Sequence, residues 1–261
     1  MGKRGSPGVG EVAAVRALAL EPRSLRISKQ QYHQHWATVH REMVVHRNDN
    51  SPMPYHRFVQ FHAEELRVPP FTRAMYDGVA ECWFEDLASV DRLLEDPYQR
   101  EIVQQDERVF VDMSRFRILF TVEDQRIAGP EMTWQLPFTK VMLLTRRRPE
   151  VTREEFAAWW TAELPRQAQE SVPSLCRYVQ SLPLLEAYPD TEPAYDGVIE
   201  LWWGRPADQD NEPVNLGPFA KALQDAPLDV SRTESLIGNE FLIFDLHRER
   251  SHPVYTKESN G

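Results

Sequence analysis

The sequence predicts an α+β fold in which two tandem β-α-β-β-α-β units pair into an eight-stranded, pseudo-dimeric α/β barrel with helices outside. Two observations predict this fold. Three segments recur in the same order in both halves of the 261-residue chain, at a nearly constant spacing. Each half also repeats the same succession of strand-type and helix-type apolar periodicity. A duplicated unit can cover its apolar sheet face with its own copy, which closes the barrel within one chain.

The recurring segments are a helix, a strand and a second strand that opens at a Tyr-Asp-Gly turn. The helix 32–40 is matched by 156–164, the strand 56–60 by 176–180, and the strand 76–84 by 195–203. Three ordered matches are typical of a tandem duplication. We therefore expect a first unit at 11–127, a linker at 128–137, a degenerate second unit at 138–248 and a polar tail at 249–261.

Each unit is predicted to begin with an apolar strand and an amphipathic helix. The strands are Val12–Leu20 and Val141–Thr145. Ser28 and Thr152 precede the helices as N-caps, and Thr152 has a glutamate three residues later, as in a capping box. Apolar residues then recur at helical spacing on one face, which indicates helices that pack on a core.

Two strands, a second helix and a last strand complete each unit. The two strands are rich in aromatic and β-branched residues, and a Tyr-Asp-Gly turn precedes the second of them. In the first unit we expect a helix over 87–110, broken at Pro97, and a last strand at Phe116–Val122, matched by Phe241–Leu246 in the second. This order of elements is that of the ferredoxin-like fold.

The composition excludes several classes of partner. Lys and Arg number 30 against 40 for Asp and Glu, giving a formal net charge of −10. This balance argues against nucleic acid or an anionic membrane surface, because both require a dense cationic face. Two cysteines are too few for a disulfide scaffold, and no apolar run approaches the ~18 residues of a membrane span. We expect a cytoplasmic monomer or homodimer whose partner is a small-molecule substrate.

Three motifs of the first unit resemble the EthD family of the dimeric α/β-barrel superfamily. They are Trp36-x-x-x-His40, Tyr76-Asp77-Gly78-x-x-Glu81-x-Trp83-Phe84 and Asp106-Glu107-x-x-Phe110-x-Asp112. The second half resembles the family more weakly, as a degenerate copy with Leu164 in place of the family histidine. The resemblance implies a cofactor-independent site in the cleft between sheet and helices. It also implies steps such as dehydration, decarboxylation or ring closure on aromatic or polyketide-like compounds.

Comparison of the two copies indicates that the first one carries the site. His40 occupies a core-facing helix position where the second copy has Leu164. A buried imidazole costs free energy unless it is hydrogen-bonded. The facing strand is also less bulky in the first copy, with Ala80, Cys82 and Phe84 aligned to Ile199, Leu201 and Trp203. Small side chains opposite a histidine predict a pocket, whereas leucine and larger side chains predict a filled core.

We therefore predict that His40 is the general acid/base of a lyase or isomerase, because an imidazole titrates near neutral pH. Asp106 matches the acidic pair of the family motif and is the expected orienting carboxylate. The residues expected to contact the substrate are Tyr32, Trp36, His62, Ala80, Cys82, Phe84 and Phe110.

Other interpretations stay open from the residues alone. His40 could be a hydrogen-bonded core histidine, and the chain could bind small molecules without catalysis. A heme-dependent oxygenase or peroxidase is a third alternative. Relatives of this barrel that hold heme usually carry the axial histidine in the C-terminal unit, which here has none before His247. A metal on His33 and His35 is disfavoured because residues two apart on a helix point in different directions. We expect neither a metal nor a cofactor.

Overall fold

A computed structural model describes residues 14–47, 53–127, 138–172, 175–204 and 216–249. Eight antiparallel strands form a closed barrel with helices packed outside it, which confirms the predicted fold class. The predicted linker at 128–137 lies outside the described residues, as does all of the predicted tail except its first residue.

The first unit contains five strands and two helical regions. The strands are β1 (Val15–Glu21), β2 (Tyr55–Ala63), β3 (Thr72–Arg73), β4 (Gly78–Phe84) and β5 (Arg117–Ile127). The first helical region consists of α1 (Lys29–His35), a π-helical turn (Trp36–His40) and α2 (Arg41–Val45). The second consists of α3 (Leu87–Glu95), a π-helical turn (Gln99–Val103) and α4 (Gln104–Phe110). The predicted break at Pro97 falls between α3 and the second π-helical turn.

The second unit repeats this order with a shorter second helical region. Its elements are β6 (Phe138–Thr145), α5 (Arg153–Ala162), α6 (Leu164–Ser171), β7 (Arg177–Pro183), β8 (Gly197–Gly204), α7 (Gly217–Ala222), β9 (Glu234–Asp245) and α8 (Leu246–Glu249). The predicted last strand covers only the second half of β9. Its first half was missed because Glu234, Ser235, Gly238 and Asn239 interrupt the apolar alternation on which the prediction depended.

The two units meet at two equivalent seams. The strands are hydrogen-bonded in the order β2-β4-β1-β5-β7-β8-β6-β9, and β9 pairs back with β2. Strand β5 of the first unit therefore joins β7 of the second, while β9 joins β2. Because β5 corresponds to β9 and β2 to β7, a pseudo-twofold axis runs along the barrel.

Each first helix is fixed by its N-cap and by a glycine beneath it. The predicted caps form full capping boxes, in which Ser28 Oγ accepts from the Gln31 amide at 3.2 Å and Thr152 Oγ1 accepts from the Glu155 amide at 3.2 Å. A Cβ added at Gly78 would lie 2.4 Å from Trp36 Cζ3. Both tryptophan-bearing helices approach the sheet this closely only because the turn residue has no side chain.

A layer of paired charges fills the middle of the barrel. Arg16 and Lys140 occupy equivalent positions on β1 and β6, and both bind Glu81 and Glu200. Lys140 Nζ lies 2.6 Å from Glu200, and all four side chains are buried. The duplicated glutamates therefore belong to a structural network rather than to a site of one unit.

Candidate active site

A cavity of about 270 Å³ lies between the outer face of the first-unit sheet and the second helical region. Its walls are mostly apolar, and the side chains from the sheet include Ala17, Ala19, Phe58, Ala80, Cys82 and Phe84. Three of the predicted substrate-contacting residues, Ala80, Cys82 and Phe84, line this cavity, on the strand face where alternation places them. We call it the His40 cavity.

His40 lines this cavity and is held by Asp106. The Nδ1 atom of His40 lies 2.9 Å from Asp106 Oδ2, and the other carboxylate oxygen lies 2.8 Å from His35 Nε2. An ionised carboxylate only accepts hydrogen bonds, so both imidazoles donate to it. In neutral His40 the Nε2 atom is then the proton acceptor, and it has no hydrogen-bond partner among the residues that the structure describes.

The electrostatics of Asp106 favour this arrangement. Burial opposes ionisation of Asp106, but the hydrogen bonds from His40 and His35 outweigh it and lower the pKa of Asp106 below its usual value.

The His40 ring is also held by packing, because Phe110 lies against it at a centroid distance of 5.1 Å. The structure thus brings together the two residues that the sequence proposed as base and orienting carboxylate.

His40 lies at the end of the π-helical turn Trp36–His40. The widened turn occupies the middle of a helical run that is otherwise α-helical on both sides. Such turns are frequent at functional sites because they re-aim one side chain without ending the helix. In the second unit the corresponding region is a junction between α5 and α6. Nothing in the residue pattern of 36–40 predicts the π-helical geometry.

Two carboxyl groups that the sequence interpretation did not assign also line the His40 cavity. Glu21 Oε2 accepts a hydrogen bond from the Tyr32 hydroxyl at 2.8 Å, and Glu107 lies near enough for its charge to act on Glu21. Burial, with a smaller contribution from Glu107, raises the pKa of Glu21 to about 8. Burial also raises the pKa of Glu107. Alternation along β1 was the available signal, because Glu21 shares a strand face with Ala17 and Ala19.

The thiol in the cavity wall is not activated. Burial raises the pKa of Cys82 far above its ordinary value, with further contributions from Glu21 and Glu107. A thiol that stays protonated is a poor nucleophile, so Cys82 acts here as a small apolar wall residue.

Three of the aromatic residues expected to contact a substrate do not line the His40 cavity. Tyr32, Trp36 and Phe110 are buried between helix and sheet. Tyr32 reaches the cavity only through its hydrogen bond to Glu21. Helical periodicity shows which face is buried but not what it packs against, so the role of these three residues in substrate binding stays a prediction.

His62 is also outside the His40 cavity. It lines a separate cleft with His33 and Gln60, and its ring stacks on Trp36 at 4.7 Å. Burial lowers the pKa of His62 to about 3, so this ring is neutral. His62 therefore lies apart from His40, because Trp36 and the first helix lie over it, and its contact with a substrate stays a prediction.

The corresponding region of the second unit is filled. Leu164 is fully buried in a cluster with Phe156, Trp160, Ile199 and Leu201. Residues 138–246 contain no histidine, so the second unit lacks the side chain that would serve as an axial heme ligand. The residues there do not fit a histidine-ligated heme.

Neither metal clusters nor membrane-spanning helices are found in the described parts of the chain. Among residues 14–47, 53–127, 138–172, 175–204 and 216–249, no group of three or more His, Cys, Asp or Glu is arranged to hold a metal ion. Over the same residues, no helix has the length and apolarity needed to cross a membrane.

One protein family matches part of the chain. Residues 25–114 match the EthD domain family, and this segment includes both His40 and Asp106. The match lies within the first unit of the barrel. The match confirms the resemblance that the three motifs indicated. No curated protein matches the chain at a significant level.

Solved structures resemble the chain as a whole. An anthrone oxidase-like protein superimposes with a TM-score of 0.58 at 9% identity, covering 90% of this chain and 96% of that one. A proposed monooxygenase from Fusobacterium nucleatum subsp. nucleatum superimposes with a TM-score of 0.50 at 6% identity, with the same coverage of 90% and 96%. At such identities the likeness concerns the fold. Residues 25–114 thus lie in the first unit of a barrel that the second unit completes.

Proposed function

We propose that the segment matching the EthD family contains an enzyme active site. In this site His40, oriented by Asp106, transfers a proton to or from an apolar small molecule. The surroundings of the His40 imidazole support this proposal. Its Nδ1 atom is hydrogen-bonded to Asp106 at 2.9 Å, while the ring lines a mostly apolar cavity. This is the arrangement of a general base and its orienting group.

The chemistry follows from these groups. Neutral His40 takes a proton at Nε2 from a carbon acid or phenol, and Asp106 stabilises the imidazolium that results. The apolar walls exclude water, which strengthens this ion pair. Glu21, with its pKa of about 8, is protonated near neutral pH and supplies an acid on the wall of the same cavity. Dehydration, cyclisation and isomerisation can use both groups, and decarboxylation can use the acid to protonate the carbanion that forms.

The size and lining of the cavity favour an aromatic or polyketide-like substrate. An apolar cavity of about 150 Å³ holds one benzene molecule. The His40 cavity, at about 270 Å³, therefore suits a compound of two or three fused rings. Phe58, Phe84 and Phe120 in the wall supply faces and edges for ring packing.

Cofactor-independent oxygenation is a second candidate for the same residues. The barrel resembles that of an anthrone oxidase-like protein. If His40 removes a proton from an activated ring carbon, the carbanion can react with O₂ directly. Cleavage of the O–O bond then leaves a carbonyl on the carbon and releases water. Proton abstraction by His40 is common to both candidates.

The test uses variants of the dyad and a panel of hydroxylated two- and three-ring aromatic compounds, anthrone among them. We expect His40→Ala to lower kcat by roughly 10²–10⁴-fold, the usual contribution of a general base. Asp106→Asn should lower kcat as well, because the amide can donate to Nδ1 and favour the wrong tautomer. Binding measured by fluorescence should change only a few-fold in either variant.

His46→Ala is the matched control, because His46 is an exposed histidine outside the cavity. Its turnover should equal that of the unmodified protein. O₂ consumption recorded in parallel separates oxygenation from the lyase or isomerase reactions. An undiminished rate in His40→Ala would overturn the proposal, and tight binding without turnover in the unmodified protein would show a non-catalytic binder.

A further inference from the structure

One end of the barrel carries a second cavity, of about 420 Å³, that is separate from the His40 cavity. Tyr76 and Tyr195 lie at its base, immediately before β4 and β8. They occupy equivalent positions of the two units, and their hydroxyl oxygens are 3.3 Å apart. The tyrosine pair therefore closes this end of the barrel at the pseudo-twofold axis. We call this the barrel-end cavity.

Two of its arginines come from a turn that occurs once in each unit. Asp112-Met113-Ser114-Arg115 precedes β5, and Asp229-Val230-Ser231-Arg232 precedes β9. In both turns the serine Oγ donates to the aspartate Oδ1 at 2.6 Å. The same local structure thus carries Arg115 and Arg232 to the cavity from its two sides.

Arg117 and Arg146 complete a set of four arginines. Arg117 is the first residue of β5, and Arg146 directly follows β6. The guanidinium of Arg146 lies over the Tyr195 ring, 4.9 Å from its centroid. Four cationic side chains thus line one cavity of a protein whose net charge is −10.

The carboxylates near the barrel-end cavity are too few to neutralise its four arginines. Glu234 is the one carboxylate lining the barrel-end cavity among the described residues, and it accepts a hydrogen bond from Tyr195. Asp112 pairs with Arg115 at 2.7 Å. Within the described parts of the chain, Arg117 and Arg146 form no ion pair with a carboxylate.

The Tyr76 hydroxyl is available as a donor. Burial raises the pKa of both Tyr76 and Tyr195, so both hydroxyls stay protonated at physiological pH. Tyr195 donates its one hydrogen to Glu234, so Tyr76 donates to the Tyr195 oxygen in their long 3.3 Å contact. Tyr76 can exchange this long hydrogen bond for one to a ligand.

We propose that the barrel-end cavity binds a small oxyanion, the phosphate or carboxylate group of a small molecule, with Arg117 and Arg146 as its principal ligands. Guanidinium groups bind such anions through paired, charge-assisted hydrogen bonds. The Tyr76 hydroxyl adds a neutral donor at the base of the cavity. Arg115 and Arg232 supply long-range attraction while retaining their aspartate neighbours.

The test is calorimetric titration of the full chain with pyrophosphate and, separately, with citrate, at constant ionic strength set with NaCl. Arg117→Glu installs the residue that the second unit carries at the equivalent position, Glu234, and we expect it to weaken binding at least tenfold. Arg146→Ala is a second variant with the same expected direction. Arg100 lies at an exposed position outside both cavities, where Arg100→Ala matches the charge change of Arg146→Ala and Arg100→Glu matches that of Arg117→Glu. Both Arg100 variants should bind within about twofold of the unmodified protein.

The two titrants distinguish the sources of the anion. Tighter binding of pyrophosphate would indicate a phosphorylated ligand, and tighter binding of citrate a polycarboxylate; either supports the proposal. Absence of binding of both anions to the unmodified protein at millimolar concentration would overturn it. An equal loss of affinity in Arg100→Ala and in the two cavity variants would overturn it as well, because the attraction would then be that of the whole surface.

Discussion

Glu21 is a carboxyl group inside an apolar wall. Its side chain is buried, and the Tyr32 hydroxyl is its one hydrogen-bond donor among the residues described. Burial and the neighbouring Glu107 raise its pKa to about 8. A group of this kind holds its proton at pH 7 and can donate it to a developing oxyanion, as protonated carboxylic acids do in other active sites.

This pKa predicts that stability falls as the pH rises. In the unfolded chain Glu21 has its ordinary pKa of 4.5, whereas in the folded chain its pKa is about 8. The stabilisation of the folded state is therefore complete below pH 4.5 and is lost between pH 4.5 and 8. Glu21→Gln keeps an acceptor for Tyr32 but does not titrate.

Urea denaturation between pH 5 and 9 checks this prediction. The free energy of unfolding of the unmodified protein should fall relative to that of Glu21→Gln by roughly 2–5 kcal/mol. Glu186→Gln, at an exposed position, should follow the unmodified protein at every pH. Parallel curves for the unmodified protein and Glu21→Gln would show that Glu21 ionises normally in the folded state.

At the scale of elements, the contact between the first helical region and β4 determines where His40 lies. Trp36 lies directly over Gly78, and Trp160 lies over Gly197 in the second unit. This contact sets the distance of the helix from the sheet, and His40 follows Trp36 by one turn. The position of the base therefore depends on a glycine that lies on the neighbouring strand.

Gly78→Ala is expected to move the first helix. The new Cβ would lie 2.4 Å from Trp36 Cζ3 and 2.5 Å from the Tyr32 hydroxyl, so the helix must shift. Overpacking of this kind costs about 1–3 kcal/mol. Gly197→Ala creates the same overlap with Trp160 and should cost a similar amount. Only Gly78→Ala should also lower binding in the His40 cavity. Unchanged stability in Gly78→Ala, measured by urea denaturation, would contradict the contact.

Most elements could be predicted because their periodicity and caps are local. The Ser28 and Thr152 capping boxes form as expected, and the break at Pro97 ends α3. The first half of β9 could not be predicted, because its pairing with β6 and β2 compensates for a weak local signal. The π-helical turns escape prediction for a similar reason, since their hydrogen-bond pattern is set by packing.

The candidate site could be predicted in part. His40 and the small residues of β4 were identified by comparing the two copies, and Asp106 by the family motif. The sequence could not place Tyr32 and Trp36 relative to the cavity, because a buried helix face can contact either a cavity or a closed core. Only the three-dimensional packing decides between these two surroundings.

Across the whole molecule, the buried charges bind the two units together. Arg16 of the first unit donates to Glu200 of the second at 2.7 Å, and Lys140 of the second pairs with Glu81 of the first. Burial opposes the ionisation of Glu200, but the charges of Arg16 and Lys140 lower its pKa below the usual value. The network therefore stabilises the barrel only while both cations are present.

Lys140→Met should cost about 3–5 kcal/mol of unfolding free energy, because it leaves the buried Glu81 and Glu200 with only one of their two cations, Arg16. Adding Glu81→Gln to it should restore part of the loss, since one uncompensated charge is removed. Arg166 pairs with Glu170 on the surface, and Arg166→Met should cost far less than Lys140→Met, because solvent screens this pair. Urea denaturation measures all three. A loss in Lys140→Met no larger than in Arg166→Met would contradict the role of the network.

The two seams, β5 with β7 and β9 with β2, lie within a single polypeptide. A barrel built from two identical chains must accept every substitution twice, once in each half. Here each half is encoded separately, so Leu164 could fill one interior while His40 kept the other open. Joining the halves also makes their association independent of dilution. The tandem chain thus allows one half to specialise in chemistry and the other in holding the barrel closed.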